Sequence, residues 1–165
     1  MDDRTSAIER FFAGYAAEFA RALAGHGNAE ATAAHFADCF VEAGPQGVSC
    51  GQNDEVFRQM IPRGYESYRS IGMEAMSIQS MEITHLDELH SVARVRWLST
   101  YRSKDESEES IDFQVVYLVQ TLSEVPRIFA YIVGDEQAAM RDKGLIGTRM
   151  PQPSLHLPPQ AVQRR

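Results

Sequence analysis

The feature that most constrains this chain is a change in its hydrophobic period near Met73. Before Met73, apolar residues recur three or four positions apart, as from Ile8 to Tyr15; after it, they alternate with polar residues. The first spacing indicates amphipathic helices and the second indicates strands with one buried face. The order predicts an α+β domain in which helices come first and a long antiparallel sheet follows.

The first and third predicted helices carry recognisable end signals. Ser6 with Glu9 three residues later forms the pattern of a capping box, and Gly25 ends the first helix. Asn53 is predicted to cap the third helix. Pro62 is expected to break or kink that helix, because proline lacks an amide and clashes with the preceding turn.

The second helix is predicted to be short and rich in alanine. It begins at Asn28 as N-cap and continues through His35 and Asp38. On this interpretation His35 and Asp38 lie one helical turn apart, on the same side of the helix.

The long strands give the clearest predictions. Apolar alternation slips by one residue near Gln79 and Ser80, which predicts a β-bulge that bends the first of them. The next strand, 90–102, divides into two faces. Its predicted inward side chains are Ala93, Val95, Trp97, Ser99 and Tyr101.

Shorter segments complete the expected domain, which spans residues 1–147. The turn 44–47 joins a small strand pair before the third helix, and the last strand is predicted to place Phe129 and Tyr131 on one face and Ile128 on the other. Residues 148–165 contain four of the seven prolines and no periodic pattern. They are predicted to form an extended or disordered tail.

Composition excludes several classes of function. The 165 residues carry a net charge of −7, which disfavours nucleic acid and anionic membranes as partners. Two cysteines, Cys39 and Cys50, are too few for a disulfide framework or a zinc site. No signal peptide or membrane span is evident, so a cytoplasmic location is expected, and no cofactor is predicted.

Two stretches resemble one known fold family. AAHFADCFVEAGPQGVSCG resembles the second helix, first strand and Pro/Gly turn of the nuclear transport factor 2-like superfamily, and PRIFAYIVGD resembles its last strand. The resemblance covers about residues 5–143 and is SnoaL-like in type, with a cystatin-like fold. It implies three N-terminal helices packed into a strongly bent, mainly antiparallel mixed sheet, which forms a cone-shaped half barrel with an internal pocket.

The resemblance implies that inward aromatic and polar side chains line the pocket. The expected pocket residues are Tyr15, His35, Tyr65, Trp97, Tyr101, Tyr117 and Tyr131. Because this wall is mainly aromatic, the leading hypothesis is a domain that binds a small, mainly apolar molecule and has no assignable catalysis.

An enzymatic alternative depends on where a base lies. Related enzymes that move a proton next to a carbonyl place a carboxylate just after the first strand. Here that position falls on Ala43 or Gly44, and Glu42 is expected to point to the opposite face. Chemistry of the ketosteroid isomerase type therefore lacks its expected base.

A second enzymatic alternative uses the predicted helical pair. His35 and Asp38 could act as an acid–base pair in a lyase or isomerase, with Tyr15 or Tyr101 donating a hydrogen bond to an oxyanion. Many spacings of this kind occur in any sequence, and a polar edge on a short helix is the simpler and favoured explanation of the pair. His85 and His90 flank a solvated hairpin turn without a third ligand, so no metal site is predicted.

The composition of the outer face of the sheet predicts that this face contacts another protein chain. Arg residues lie there beside apolar ones, a composition that suits an isologous contact. The residues concerned are Arg94, Arg96, Arg102, Val116, Leu118 and Ile132. Since members of the family often pair through this surface, the resemblance implies a homodimer through the convex sheet face, and a non-catalytic dimeric interaction module is the third alternative.

Overall fold

A computed structural model describes residues 3–147, and residues 148–165 of the predicted tail lie outside them. The helices and strands follow the predicted order. They are α1 (Asp3–Leu23), α2 (Ala29–Ala33), β1 (Phe36–Gly44), β2 (Gly47–Gln52), α3 (Glu55–Ser70), β3 (Met73–His85), β4 (His90–Arg102), β5 (Glu108–Gln120), β6 (Arg127–Val133) and α4 (Glu136–Asp142).

The six strands form one mixed sheet in the order β2-β1-β6-β5-β4-β3. β1 and β6 run parallel and every other neighbouring pair is antiparallel. The register between β3 and β4 shifts between Ile78 and Ser80, so the predicted bulge is confirmed. The sheet is not closed, and α1 and α3 pack against it. The α+β class and the cone-like arrangement are thereby confirmed.

Strand β4 separates its two faces as predicted. Trp97 and Tyr101 are fully buried, whereas Arg96 on the opposite face is exposed and pairs with Asp112 at 2.6 Å. The interior of the cone is therefore bounded by the side of β4 that carries Trp97.

The predicted starts of α1 and α3 are wrong, whereas the predicted end of α1 is confirmed, because the helix ends at Leu23 and Gly25 follows it with a φ of 83°. α1 already includes Asp3, whose charge suits the first turn of a helix, so Ser6 lies inside the helix rather than at a capping box. Asp54 caps α3 by accepting a hydrogen bond from the Phe57 amide at 3.0 Å. The amide group of Asn53 instead donates to the Ala33 and Phe36 carbonyls and fixes the junction between α2 and β1.

The expected break at Pro62 does not occur, because α3 continues to Ser70. An interior proline costs about 3 kcal/mol. Continuing the helix buries Tyr65 and Tyr68, and full burial of a large apolar side chain contributes about 1.5–3 kcal/mol. Two such rings outweigh the lost hydrogen bond.

The predicted extent of α2 is also wrong. The helix ends at Ala33, and the chain then extends because the His35 carbonyl accepts a hydrogen bond from the Ile128 amide of β6 at 2.9 Å. Asp38 consequently lies on β1 and is exposed. The one-turn spacing predicted for His35 and Asp38 is not formed.

A second bulge alters the predicted faces of β6. Val119 pairs with Ile128 and Leu118 pairs with Ala130, which leaves Phe129 as the extra residue. Ile128 and Tyr131 are both fully buried, whereas Phe129 packs outside against His90 at a ring distance of 5.9 Å. The inward position predicted for Tyr131 is confirmed and that for Phe129 is wrong.

Residues 3–147 include no helix that is long and apolar enough to cross a membrane.

Candidate functional site in the interior of the cone

The interior of the cone holds all six tyrosines of the chain, and each is at most 9% exposed. We call this set the tyrosine cluster. Its members are Tyr15 of α1, Tyr65 and Tyr68 of α3, Tyr101 of β4, Tyr117 of β5 and Tyr131 of β6. Two helices and three strands thus direct the same residue type towards one volume.

The rings of the cluster contact each other and Trp97. Ring centres lie 6.2 Å apart for Tyr15 and Trp97, 6.5 Å for Tyr15 and Tyr117, and 6.3 Å for Tyr117 and Tyr131. These distances and the tilted or edge-on orientations are typical of packed aromatic pairs. Trp97, Tyr101, Tyr117 and Tyr131 are 0% exposed, so solvent does not reach them in this arrangement.

Burial makes the hydroxyl groups of the cluster hard to ionise. It is the largest cause that raises the pKa of Tyr68 and of Tyr117 well above 10, and it raises the pKa of Tyr65 to about 12. These hydroxyls are therefore neutral hydrogen-bond donors over the whole physiological range.

The hydroxyl of Tyr101 is the least satisfied. It is buried and has no well-formed hydrogen bond among residues 3–147. The Ser99 hydroxyl lies beside it but donates to the Ile111 carbonyl at 3.3 Å. Burial raises the pKa of Tyr101, and Ser99 opposes this only in part.

Glu42 faces the interior, which corrects the sequence prediction. It pairs with Tyr131 across the parallel β1–β6 ladder, and the Tyr131 hydroxyl donates to Glu42 Oε2 at 3.0 Å. Directly paired residues of a ladder point to the same face. Ala43, at the position expected for a base, pairs with the half-exposed Ile132 on the outer face. Glu42 lies two residues after the buried Phe40, so regular alternation along β1 gives it the same face.

A second carboxylate reaches the cluster from α4. Glu136 is only 7% exposed, and its charge contributes to raising the pKa of Tyr68, Tyr101 and Tyr117, after burial. Met140, one turn later on the same side of α4, is 2% exposed. α4 therefore covers the interior with an acidic and an apolar side chain.

His35 lies at the edge of the cluster, and Asp38 does not join it. The His35 ring packs against Tyr15 at 5.3 Å and against Phe11 at 5.0 Å. Its Nδ1 donates to the Ala31 carbonyl at 2.8 Å, so Nε2 is the acceptor of the neutral ring. Burial lowers the pKa of His35. His35 therefore packs against Tyr15, whereas Asp38 is exposed on β1 and the predicted His35–Asp38 pair is not formed.

Tyr65 borders a separate groove at the surface. The groove has a volume of about 100 Å³ and lies between the end of α1, the loop before α2, and α3. Its walls are Ala22, Gly25, Gly27, Asn28, Ala29, Ile61, Pro62, Tyr65 and Arg69. Of the seven predicted pocket residues, Tyr65 is the one that lines this groove.

The two histidines of the β3–β4 hairpin have structural contacts. His85 bridges the hydroxyls of Thr5 and Ser91 at 2.9 and 2.8 Å and so joins α1 to the sheet. His90 pairs with Asp87 at 2.9 Å, and this contact is the largest cause that lowers the pKa of Asp87 to about 2. Both rings hold the hairpin in place.

Three residues of the site escaped sequence reasoning. Tyr68 continues the spacing of Ile61 and Tyr65, but the proline at position 62 masks that signal by indicating a helix end. Glu42 could be found by counting two residues from the buried Phe40. Nothing in the sequence around Glu136 indicates that an acidic first-turn residue is buried.

The sequence from residue 3 to residue 151 matches a family described as NTF2-like protein (DUF6841). The chain belongs to this NTF2-like family. The match covers all of the residues described, including every member of the tyrosine cluster. No curated protein matches the chain.

Solved structures share the NTF2-like fold at low sequence identity. An NTF2-like protein of unknown function from Shewanella oneidensis MR-1 has a TM-score of 0.59 and 14% identity, over 80% of this chain and 99% of that one. A ketosteroid isomerase-like protein from Erwinia carotovora atroseptica has a TM-score of 0.56 and 18% identity, over 81% and 97%. A proposed scytalone dehydratase from Novosphingobium aromaticivorans has a TM-score of 0.59 and 16% identity, over 79% and 82%. At these identities the likeness establishes the fold alone.

Proposed function

We propose that this NTF2-like domain binds a small, mainly apolar molecule with at least one polar group in the interior of its cone. The observation that carries the proposal is the convergence of the tyrosine cluster and two carboxylates on one buried volume. A buried hydroxyl without a good partner, such as that of Tyr101, costs about 1–3 kcal/mol. Phenylalanine would fill the same space without that cost, so this hydroxyl suits a ligand better than it suits a core.

Entry of a ligand requires a movement, because the rings around Trp97 are closed to solvent. α4 is the element that can supply it. It is seven residues long, and the ion pair of Lys143 with Glu109 at 3.1 Å lies partly in solvent. Exposed pairs of this kind contribute little to stability. Displacement of α4 would withdraw Glu136 and Met140 and expose the hydroxyls beneath them.

The binding proposal is tested with the single tryptophan of the chain. Trp97 lies within the cluster, so an interior ligand should shift or quench its emission during titration with cyclic ketones and other apolar carbonyl compounds. Tyr117→Phe should weaken binding, whereas Thr100→Val on the outer side of β4 should not. Native mass spectrometry of the purified chain provides the second readout. If no small molecule co-purifies and no compound alters Trp97 emission, the cluster is only core.

A second candidate, an isomerase or lyase acting on a carbonyl compound, is favoured by the inward position of Glu42. A carboxylate at this place can accept a proton from the carbon beside a carbonyl, while a neutral tyrosine hydroxyl donates to the carbonyl oxygen. The hydrogen bond from Tyr131 orients the carboxylate. His35, which contacts Tyr15 at the edge of the interior, is the second group besides Glu42 that could transfer a proton. Asp38 is exposed on β1 and takes no part in this site.

Isotope exchange separates the two candidates. If the domain is an enzyme, it should speed the loss of deuterium from the carbon beside the carbonyl of a bound ketone, measured by NMR. General base catalysis typically contributes about 10²–10⁴-fold, so Glu42→Gln should lower the rate by at least about 10²-fold. Glu82→Gln, at an exposed position of β3, is the matched control. Equal exchange by the native chain and the Glu42→Gln variant would leave binding as the only function.

A further inference from the structure

Two of the side chains that reach the interior of the cone are carboxylates. Glu42 accepts a hydrogen bond from the Tyr131 hydroxyl at 3.0 Å, and Glu136 of α4 is only 7% exposed. A carboxylate keeps its negative charge when hydroxyl groups donate hydrogen bonds to it, because such bonds stabilise the charged form. The interior therefore combines aromatic rings with negative charge.

Cationic side chains stay outside this volume in the part of the chain that the structure describes. No lysine or arginine of residues 3–147 is buried. Arg127 is half-buried, and its charge reaches His35 at the edge of the tyrosine cluster. His35 is itself neutral at pH 7, because burial lowers its pKa. Glu18, the other buried carboxylate, differs from Glu136 because Arg21 Nε donates to it at 2.9 Å.

The hydrogen-bonding capacity of a carboxylate discriminates between ligands. Carboxylate oxygens only accept hydrogen bonds, and the carbonyl oxygen of a ligand also only accepts them. An ammonium group only donates hydrogen bonds, and its charge offsets the cost of burying a carboxylate. Glu42 and Glu136 therefore favour a ligand that brings a positive charge into the interior.

The aromatic rings provide a second, independent attraction for a cation. Tyr15 packs edge-on against Trp97 and Tyr117, with ring centres 6.2 and 6.5 Å away. The face of an aromatic ring attracts a cation within about 6 Å of the ring centre, most strongly where water is excluded. Tryptophan gives the strongest attraction of this kind, and Trp97 is 0% exposed. Groups of aromatic rings bind quaternary ammonium ligands in the same way.

We propose that the ligand of the interior is a small organic cation, an amine or quaternary ammonium compound with an apolar body. Glu42 and Glu136 supply the opposite charge, and the rings around Trp97 contact the cationic group. This inference rests on the proposed binding function and adds the charge of the ligand to it. Because Glu136 belongs to α4, the return of α4 after ligand entry brings a carboxylate against the bound cation.

The experiment compares three ligands of similar shape and different charge, namely cyclohexylmethylamine, cyclohexylmethanol and cyclohexanecarboxylate. Each is titrated into the full chain at pH 7, and the emission of the single tryptophan, Trp97, is recorded. The protonated amine should bind at least about tenfold more tightly than the alcohol, and the carboxylate should bind more weakly than the alcohol. Glu136→Gln should lower the affinity for the amine several-fold and leave that for the alcohol unchanged. Glu82→Gln, at an exposed position of β3, is the matched control and should keep the full preference.

Salt separates interior binding from attraction to the surface. The net charge of −7 attracts any cation, so the titrations are repeated in about 0.5 M salt, which screens exposed charges far more than buried ones. The ranking of the three ligands uses the native chain and does not depend on the folding of a variant; circular dichroism checks the fold of Glu136→Gln.

Several results would overturn the inference and leave the proposed binding function intact. These are equal or tighter binding of the alcohol or the carboxylate, a preference for the amine that disappears in salt, and a full preference in Glu136→Gln. If none of the three ligands alters Trp97 emission but a ketone does, the cation inference alone fails. If no compound of either kind alters it, both proposals fail.

Discussion

The two faces of the sheet follow the usual division into an apolar inside and a polar outside, and each face carries a set of exceptions. The inner face is closed to solvent yet carries polar groups, namely the hydroxyls of Tyr101, Tyr117 and Tyr131. The outer face is open yet carries apolar groups such as Val48 and Ile132. Elsewhere the inner face buries apolar side chains such as Val95, and the outer face exposes charged ones such as Arg96.

These exceptions do not stabilise the isolated folded chain. Buried hydroxyls lower stability unless something accepts their hydrogen bonds, and exposed valine and isoleucine gain nothing until something covers them. A small molecule in the interior would satisfy the first face.

The largest expected effect comes from truncating neighbouring residues of β5 that point to opposite faces. Tyr117→Ala should lower the free energy of unfolding by about 3–5 kcal/mol, because it leaves a cavity in the core. Leu118→Ala should cost below about 1 kcal/mol in dilute solution, where its face is open. Urea denaturation measures both. If the destabilisation caused by Leu118→Ala grows with protein concentration, the outer face is buried when copies of the chain associate.

Removing single hydroxyl groups from the inner face should change the free energy of unfolding in opposite directions at two positions. Tyr101→Phe should raise the free energy of unfolding by up to about 1 kcal/mol, because its hydroxyl is buried without a well-formed bond. Tyr131→Phe should lower it by about 1 kcal/mol, because the bond to Glu42 is lost. For a chain of this size, 1 kcal/mol shifts Tm by about 2–4 °C. If Tyr101→Phe destabilises the fold, that hydroxyl has a structural partner and is not held for a ligand.

The smallest effect concerns the edge of the interior, where His35 packs on Tyr15. Burial lowers the pKa of His35 below its ordinary value of 6.5, so the unfolded chain binds a proton more readily than the folded one. Stability from this residue is therefore present above about pH 6.5 and is lost as the pH falls through that value towards the folded pKa. His35→Gln should flatten the dependence measured by urea denaturation, whereas the same change at the exposed His26 should not. If the free energy of unfolding depends on pH equally in the native chain and in His35→Gln, then His35 is accessible to solvent in the folded chain.

Strong local patterns allowed the sequence to predict most of the fold. The bulge near Ser80 and the inward side of Trp97 were correct, because alternation over a long strand leaves one choice of face. The order of the helices and strands along the chain also predicted the fold. The inward positions of Tyr117 and Tyr131 followed from alternation along their strands, and that of Tyr15 from the helical spacing of α1.

The sequence failed where a distant contact overrode a local signal. His35 has a helical neighbourhood, but the pairing of its carbonyl with the Ile128 amide draws the chain into β1. Pro62 is a helix breaker, but the burial of Tyr65 and Tyr68 keeps α3 intact. The face of Glu42 follows from the buried Phe40 two residues earlier, but its hydrogen-bond partner Tyr131 lies 89 residues away and no local signal indicates it.

The α+β class, the faces of the long strands and the aromatic character of the interior depend on residues close together along the chain, so the sequence was enough to predict them. The three-dimensional structure was needed to show that Glu136 reaches the tyrosine cluster, that Tyr131 donates to Glu42, and that the outer face aligns Val48, Ala43, Ile132 and Val116 across four strands. Strand register and the parallel contact of β1 with β6 determine these arrangements, and both arise from pairing between residues far apart in sequence.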